Sequence, residues 1–339
     1  MKKDNLTTNN AEIKIIVNGK PQTLLLREFR QEDVLQIYKS WSNPQNYRYN
    51  EITWDINDVM EMVKYPCPTS WGMFYKVAEI KETGEIVATC RFGTRYDTKP
   101  EDMVWDFGYN VFRTDDKEIY TIEDIKTAFK NGVTRDSSWG KGYGKAILCA
   151  IIEIARKNGV KKLIAGADSR NFGSQKVMMK NGFVFYRTDE DYDVQLCLDL
   201  TKPTIIPSPE ELAHIWEEHE KLVKAHIEKN NSKINEIDTA HFYDAIFYLL
   251  LNRVLEIEKL SNLNLIETNK LKNEIACIVN NMSADELSAF TKHINVKIKV
   301  WKENVKPENL SVKHKLELCK ILQTIFNELN LIISDDLNI

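Results

Sequence analysis

Three glycines at every second position, Gly140, Gly142 and Gly144, stand directly before an apolar helical segment. Glycine carries no Cβ and tolerates positive φ, so successive backbone N–H groups can turn toward one anion. The helix predicted from about Lys145 directs its unpaired N–H groups and the positive end of its dipole at the same point. Lys141 and Lys145 add side-chain charge there. The spacing predicts a phosphate site, and a pyrophosphate suits it best.

Two common phosphate loops do not fit this stretch. A P-loop needs Ser or Thr directly after its lysine, and here Ala146 follows Lys145. The dinucleotide pattern Gly-x-Gly-x-x-Gly is absent as well, because these glycines are evenly spaced. A different family of loops must therefore account for the pattern.

A second group of polar residues lies downstream, as Asn171-x-x-Ser174 followed by Lys180-Asn181-Gly182-Phe183. The glycine loop resembles motif A of the GNAT superfamily of N-acetyltransferases, Arg/Gln-x-x-Gly-x-Gly/Ala, with Trp139 in the Arg/Gln position. The downstream block is similar to the Asn-x-x-Ser…Lys-x-Gly-Phe block of the RimJ/RimL-type branch, which acetylates protein N-termini. The resemblance covers about residues 22–200.

This resemblance implies an α/β (α+β) GNAT fold, with a mixed central sheet flanked by helices, and acetyl-CoA as co-substrate. The pyrophosphate would lie on the loop formed by Trp139, Gly140, Lys141, Gly142, Tyr143, Gly144 and Lys145. Asn171, Ser174 and Lys180 would contribute further cofactor contacts. The central strand would separate from its neighbour, the strand at 164–168, so that Phe107, Tyr109 and Val111 could pair with the pantetheine arm.

The same resemblance suggests acid and base residues for direct attack by an amine. Asp106 takes the place of the family's Glu on the central strand and is the expected general base; the alternative is a surface carboxylate at a strand end. Many members use a Tyr seven residues after the Asn as the acid, and this chain has Met178 there. Ser174 and Tyr109 are the substitutes, Tyr143 is a further alternative, and a thiolate leaves readily enough to need no dedicated acid. Asn171 has an alternative role as a simple helix cap.

Apolar periodicity and turn residues outline the elements that would position these groups. Strands are expected at 12–18, 22–27, 71–80, 86–92, 103–112, 183–186 and 194–200, with a hairpin turn at Asn18-Gly19. Helices are expected at 32–40 and 56–65, with a turn over 41–49 between them. An insertion at 113–136 departs from the family pattern and includes a charged helix at 122–131. It could be a substrate lid or a solvated surface excursion.

The region after residue 200 has a different composition, since all six histidines lie there. We expect an acetyltransferase domain over 1–200, a linker over 201–208 and a helical bundle of unknown role over 209–339. Its first helix begins with a capping box, Ser208 with Glu211, and Pro209 at the first position. Further helices are expected at 239–260, 265–281, 284–302 and 311–332. The bundle could bind a partner, recognise the substrate or mediate self-association.

The composition of the chain restricts the kinds of partner that it is expected to bind. The net charge of −4 argues against nucleic acid and anionic membranes. Six scattered cysteines and no signal-peptide core predict a reduced, cytoplasmic protein without a membrane span. A metal site is a weaker interpretation than core histidines, and no metal is expected. Its candidate ligands would be His214, Glu218, His219, His226, His241 and Asp244.

Two classes of function stay open at this point. The first is an N-acetyltransferase acting on a primary amine, either a protein N-terminus or a small molecule, with acetyl or a longer acyl group. The second is a non-catalytic acyl-CoA sensor whose helical region binds a partner.

Overall fold

The computed structural model describes residues 11–17, 20–47, 49, 56–64, 72–117, 120–188, 193–259, 265–303 and 315–322. The chain divides into two compact units. The first comprises Met1–Ser40, Met62–Asp116 and Arg135–Asn235, and the second comprises Trp41–Glu61, Lys117–Thr134 and Glu236–Ile339.

An eight-stranded sheet forms the centre of the first unit, in the order β1-β2-β3-β4-β5-β6-β8-β7. The strands are β1 (Ala11–Val17), β2 (Lys20–Arg27), β3 (Met73–Ile80), β4 (Glu85–Thr94), β5 (Val104–Val111), β6 (Lys162–Asp168), β7 (Val184–Thr188) and β8 (Asp193–Asp199). Neighbouring strands are antiparallel except β5 and β6, which are parallel. The predicted mixed central sheet is confirmed.

Apolar and polar side chains alternate along the central strands, which gives the sheet a buried apolar face. Phe92 and Trp105 stack with ring centres 5.9 Å apart, and Phe74 lies 5.7 Å from Phe92. Period-two alternation places these side chains on one face, while polar residues of the same strands point to the other. The apolar face packs against α5 (Tyr143–Lys157), of which Ile147 and Ile151 are fully buried.

The first unit also contains α1 (Val34–Trp41) except its last residue, α6 (Phe172–Met179) and α7 (Pro209–Lys229). The capping box predicted at Ser208 and Glu211 is present at the start of α7. The apolar stripe of α7, which includes Leu212, Trp216 and Val223, packs on the core of the sheet unit. The two compact units therefore divide the chain between Asn235 and Glu236, later than the linker predicted at 201–208. The predicted functional domains stay a prediction.

The second unit is helical in its described residues. The helices with residues in it are α2 (Pro44–Tyr47), α3 (Ile56–Lys64), α4 (Ile122–Asn131), α8 (Asn231–Lys259), α9 (Leu265–Asn280), α10 (Ala284–Glu303) and residues 315–322. In the predicted insertion, Ile125 and Ala128 of α4 are buried, and the Phe129 ring lies 5.5 Å from that of Phe242. A solvated excursion is therefore the wrong description of α4.

Several boundaries differ from the sequence predictions. The turn expected over 41–49 contains one helical turn, α2, because proline is favoured at the first position of a helix. α8 begins at Asn231 rather than 239, since residues 231–238 are too polar to show an apolar period. The Asn18-Gly19 turn and most of the helix predicted at 311–332 lie outside the described residues. None of the described helices has the length and apolar character that crossing a bilayer requires.

Candidate active site

β5 and β6 pair over only three residues and then separate. Val104, Trp105 and Asp106 pair with Lys162, Leu163 and Ile164, yet β5 continues to Val111 and β6 to Asp168. The other edges of the two strands are paired with β4 and β8. The predicted separation is present, and it leaves two strand edges facing a gap. Such edges offer N–H and C=O groups to an extended amide ligand.

The glycine loop leads directly into the N-terminus of α5. Gly140 and Gly142 have φ of +84° and +90°, and Gly142 is the N-cap residue. No side chain in the described part of the chain caps this end, and the first helical bond runs from Ala146 N–H to Gly142 O. The N–H groups of the first turn, at Tyr143, Gly144 and Lys145, are thus left for a ligand. The helix starts two residues before the predicted Lys145.

Gly144 serves a different purpose from the two glycines before it. Its φ is not positive, but a Cβ at this position would lie 3.2 Å from Cε2 of Tyr109. The absence of a side chain lets the Tyr109 ring pack against the first turn of α5. Tyr109 Oη then lies 3.3 Å from Ser174 Oγ, within reach of a hydrogen bond. Burial raises the pKa of Tyr109, while the Ser174 hydroxyl opposes that shift.

Asn171 caps α6 and orders the residues beside it. Its Oδ1 accepts the Ser174 N–H at 3.1 Å, so the helix-cap role is observed. This leaves the side-chain N–H groups of Asn171 as donors for a ligand. Lys180 does not lie near Asn171 and Ser174, because it is the C-cap residue of α6, roughly 14 Å along the helix from Asn171. A cofactor contact for Lys180 stays a prediction.

Asp106 lies on the opposite face of the sheet from Tyr109, because the two residues are three apart on β5. Its Oδ1 accepts a hydrogen bond from Arg91 Nη1 at 2.8 Å. The Asp106 side chain is 16% exposed, so it is not the surface carboxylate of the alternative interpretation. Burial raises the pKa of Asp106, and the cations of Arg91 and Arg95 act against that shift.

The remaining predicted site residues contribute in different ways. The side chains of Phe107 and Tyr143 are buried in the core, which leaves backbone groups for any ligand contact. Burial raises the pKa of Tyr143, which belongs to this core. Val111 is half-buried at the end of β5. The exposed Trp139 ring lies 5.4 Å from the Arg113 guanidinium, while Lys141 is half-buried and Lys145 exposed.

Two residues that the sequence analysis did not single out organise the loop. Asp136 accepts hydrogen bonds from Thr114 and from Ser138, and so ties the end of β5 to the residue before Trp139. Burial opposes ionisation, but these hydrogen bonds outweigh it and lower the pKa of Asp136 to about 2. The local Asp-x-Ser pattern could have indicated this turn.

The other is Arg135, whose guanidinium lies beside Gly140. A Cβ built on Gly140 would be 3.4 Å from Arg135 Nη2. The side chain is exposed, so its charge can reach a ligand held by the loop. A cation next to a glycine loop is a recognisable sequence signal, and Arg135 is four residues before Trp139.

Residues 23–184 match the family model for an acetyltransferase (GNAT) domain. The chain carries a GNAT acetyltransferase domain. Residues 23–184 thus form a domain of the acetyltransferase class, whose members use acetyl-CoA. The match spans just under half of the chain and ends before β8 and α7.

The solved structures that are similar to this chain are distant from it in sequence. The GNAT domain of S. lividans PAT is 20% identical, with 56% of this chain and 96% of that one covered and a TM-score of 0.41. Mycobacterium smegmatis RimJ in complex with CoA-disulfide is 14% identical, with 62% and 93% covered and a TM-score of 0.39. The yncA protein of Salmonella typhimurium with acetyl-CoA is 16% identical, with 55% and 98% covered and a TM-score of 0.39. None of the curated proteins matches this chain.

Two of the histidines considered for a metal site make other contacts. His219 is bonded to Gln175, and His226 lies beside Asn230 on its own helix. Across the described ranges, no three His, Cys, Asp or Glu side chains are grouped as a metal site.

Proposed function

We propose that this GNAT chain transfers an acetyl group from acetyl-CoA to a primary amine by direct attack. One observation supports this most strongly. The gap between β5 and β6 has a largely buried carboxylate, Asp106, on one face of the sheet and two hydroxyls, Tyr109 and Ser174, on the other. An amine entering on one face and a thiol leaving on the other would each meet a group that can move a proton.

The residues around the gap suit acetyl-CoA. The first-turn N–H groups of α5 and the Arg135 guanidinium would hold the pyrophosphate, which needs several donors and positive charge. The free edge of β5, from Phe107 to Val111, would pair with the amides of the pantetheine arm. The side-chain N–H groups of Asn171 would donate to the same arm. Acetyl-CoA supplies the reactive acetyl thioester, and these residues of the chain would bind and orient it.

Asp106 would take the proton from the attacking ammonium. A carboxylate with an ordinary pKa is a weak base, and burial strengthens this one by raising its pKa. Arg91, whose Nη1 lies 2.8 Å from Oδ1, favours the ionised form of the carboxylate and orients it. In this role Asp106 must accept its proton within the gap, so the acceptor amine would enter from the face that carries Arg91.

Tyr109 and Ser174 would act on the thiol side. Tyr109 is three residues beyond Asp106, so the two proton-carrying groups are ~10 Å apart along the strand. That distance suits two separate steps, one on the amine and one on the sulfur. Either hydroxyl could donate to the leaving thiolate, and the 3.3 Å separation would let the other replace the proton.

The acceptor is proposed as a primary amine on a protein N-terminus or a small molecule. The RimJ/RimL-like downstream block favours a protein N-terminus. The net charge of −4 suits a cationic amine better than a nucleic acid. The second unit would then contribute substrate recognition or a partner surface. A cytoplasmic location is part of this proposal.

The test is release of free thiol from acetyl-CoA over a panel of small amines and N-terminal peptides. We expect turnover with one acceptor class and its loss in Asp106→Asn, with acetyl-CoA affinity kept. Tight acetyl-CoA binding with no turnover on any acceptor would reject the enzyme in favour of an acyl-CoA sensor. An Asp106→Asn variant as active as the wild type would remove Asp106 from the mechanism.

A further inference from the structure

Helix α7 lies outside the region matched by the family model, yet it packs against the helix that carries Ser174. The Trp216 ring of α7 meets the Phe172 ring of α6 edge-on, with centres 6.0 Å apart. The Lys176 ammonium of α6 lies 4.9 Å from the centre of the same Trp216 ring. Both contacts are within the first unit. α7 is thus positioned to act on α6.

A chain of hydrogen bonds runs from α7 to the turn before Asn171. His219 Nε2 lies 2.8 Å from Gln175 Oε1. Gln175 Nε2 donates to the backbone oxygens of Asp168, at 3.0 Å, and Ser169, at 2.9 Å. Gln175 and Ser169 are fully buried, and His219 is 5% exposed. Water therefore has little opportunity to replace these bonds.

The geometry fixes the roles in this chain. Because Gln175 Nε2 donates to two carbonyl oxygens, its Oε1 is the acceptor and His219 Nε2 must carry the hydrogen. His219 Nδ1 is buried and has no hydrogen-bond partner among the described residues. Charging the ring would bury an unpaired N–H at Nδ1, which is costly. His219 is accordingly a neutral donor, and burial lowers its pKa.

Gln175 holds two parts of the cofactor site at once. Through its main chain it belongs to α6, directly after Ser174, and through its side chain it holds the carbonyls that lead into Asn171. A change in the Gln175 side chain would therefore shift Asn171 and Ser174 relative to β6. His219 holds the opposite end of that side chain, at Oε1.

The residues before α7 are also fixed to the sheet unit. A Cβ on Gly182 would lie 2.7 Å from Thr204 Cγ2 and 2.8 Å from the Ile205 carbonyl oxygen. Arg156 of α5 donates a hydrogen bond to the Thr204 hydroxyl. The stretch predicted as a linker is thus packed closely where it passes Gly182, which anchors the start of α7.

We propose that His219 is a positioning residue for the acetyl-CoA site, acting through Gln175 on Asn171 and Ser174. The site would then extend beyond the matched domain, and α7 would be part of the catalytic unit. This inference rests on the proposed function for its effect on acetyl-CoA, but its structural part can be measured without any ligand.

The main variant is His219→Phe, which keeps an aromatic ring beside Phe185 and Trp216 but removes the N–H donor. We expect amide hydrogen exchange of the ligand-free protein to rise about tenfold in the peptide 168–176, and the acetyl-CoA Kd to rise about tenfold. His219→Gln should restore both, since its amide can donate from the position of Nε2. His214→Phe, the same change at an exposed site of α7, is the matched control and should alter neither.

The outcomes separate the two claims. Unchanged exchange and affinity in a folded His219→Phe protein would overturn the positioning role. Faster exchange in a protein whose wild type binds no acetyl-CoA would keep that role and reject the proposed function. If His219→Phe does not fold, His219→Asn and His219→Gln decide: Asn cannot reach Gln175 Oε1 and should weaken binding about tenfold, whereas equal affinities would overturn the inference.

Discussion

Tyr109 and Ser174, 65 positions apart in the chain, bring their hydroxyl oxygens to 3.3 Å of each other. Tyr109 comes from β5 and Ser174 from the first turn of α6, and the missing side chain at Gly144 leaves room for the Tyr109 ring. The two candidate acids of the sequence analysis are therefore neighbours. They can act as one proton-donating unit rather than as alternatives.

The first prediction concerns this pair. Tyr109→Phe and Ser174→Ala should each lower kcat roughly 10- to 100-fold, because each removes one hydroxyl of a shared proton path. The double variant should be little worse than the more damaged single variant, since residues that act as a unit are not additive. The measurement is steady-state thiol release with calorimetric acetyl-CoA affinity. Tyr96→Phe, which removes an exposed hydroxyl, is the control and should leave kcat unchanged. Multiplicative losses in the double variant would contradict a shared path.

The second prediction concerns the two ends of α5. Gly142 and Gly159 have φ of +90° and +72°, and a Cβ on either would meet nothing within 4 Å. Alanine at each should thus cost a similar ~1 kcal/mol of stability from backbone strain. Only Gly142→Ala should also raise the Kd for acetyl-CoA, by about tenfold, because it shifts the N–H donors before the first turn. Equal affinities in the two variants would show that the loop does not hold the cofactor.

The third prediction concerns the pH dependence of catalysis. Burial raises the pKa of Asp106, and Arg91 opposes that shift, so kcat/KM should fall as pH drops through the raised value. Arg91→Gln removes the nearest cation and should move this acid limb to higher pH. Asp106→Asn should lower kcat/KM roughly 10²- to 10⁴-fold.

The control for the third prediction is Arg187→Gln, because Arg187 pairs with Asp97 rather than Asp106. Its pH profile should match that of the wild type. If the acid limb of the kcat/KM profile lies at the same pH in Arg91→Gln as in the wild type, a group other than Asp106 is responsible for it.

The fourth prediction concerns the loop anchor. The pKa of Asp136 is lowered to about 2 in the folded protein, against an ordinary unfolded value of about 4. Its contribution to stability is thus present above about pH 4 and is lost as pH falls toward 2. Asp136→Asn should lower the free energy of unfolding at pH 7 by about 2 kcal/mol. Denaturant unfolding at several pH values measures this: the difference from the wild type should shrink below pH 4, and a constant difference would speak against the assignment.

The sequence could predict those parts of the site that depend on local spacing. Gly140 and Gly142 adopt the positive φ that a phosphate loop requires, and Asn171 and Ser174 are joined by a hydrogen bond across one helical turn. Such relationships span only a few residues, so the types of the residues and their spacing in the sequence are enough to infer them. The mixed sheet was expected from the resemblance of these motifs to the GNAT superfamily and not from any single segment.

Relationships between distant segments could not be read in this way. The role of Gly144 depends on a ring 35 positions earlier, and that of His219 on a glutamine 44 positions earlier. The apolar stripe on α7 predicts an amphipathic helix but does not say what the helix packs against. In the structure α7 packs on the core of the sheet unit and not in the predicted helical bundle. The apolar residues of α4 are likewise buried in the second unit, although their charged context predicted exposure or a lid.

The central claim is that the glycine loop and the strand gap bind acetyl-CoA, and calorimetric titration of the full chain with acetyl-CoA tests it most directly. The account predicts one acetyl-CoA per chain, with binding weakened about tenfold in Gly142→Ala and unchanged in Gly159→Ala. Failure of the folded wild-type protein to bind acetyl-CoA at millimolar concentration would contradict the account.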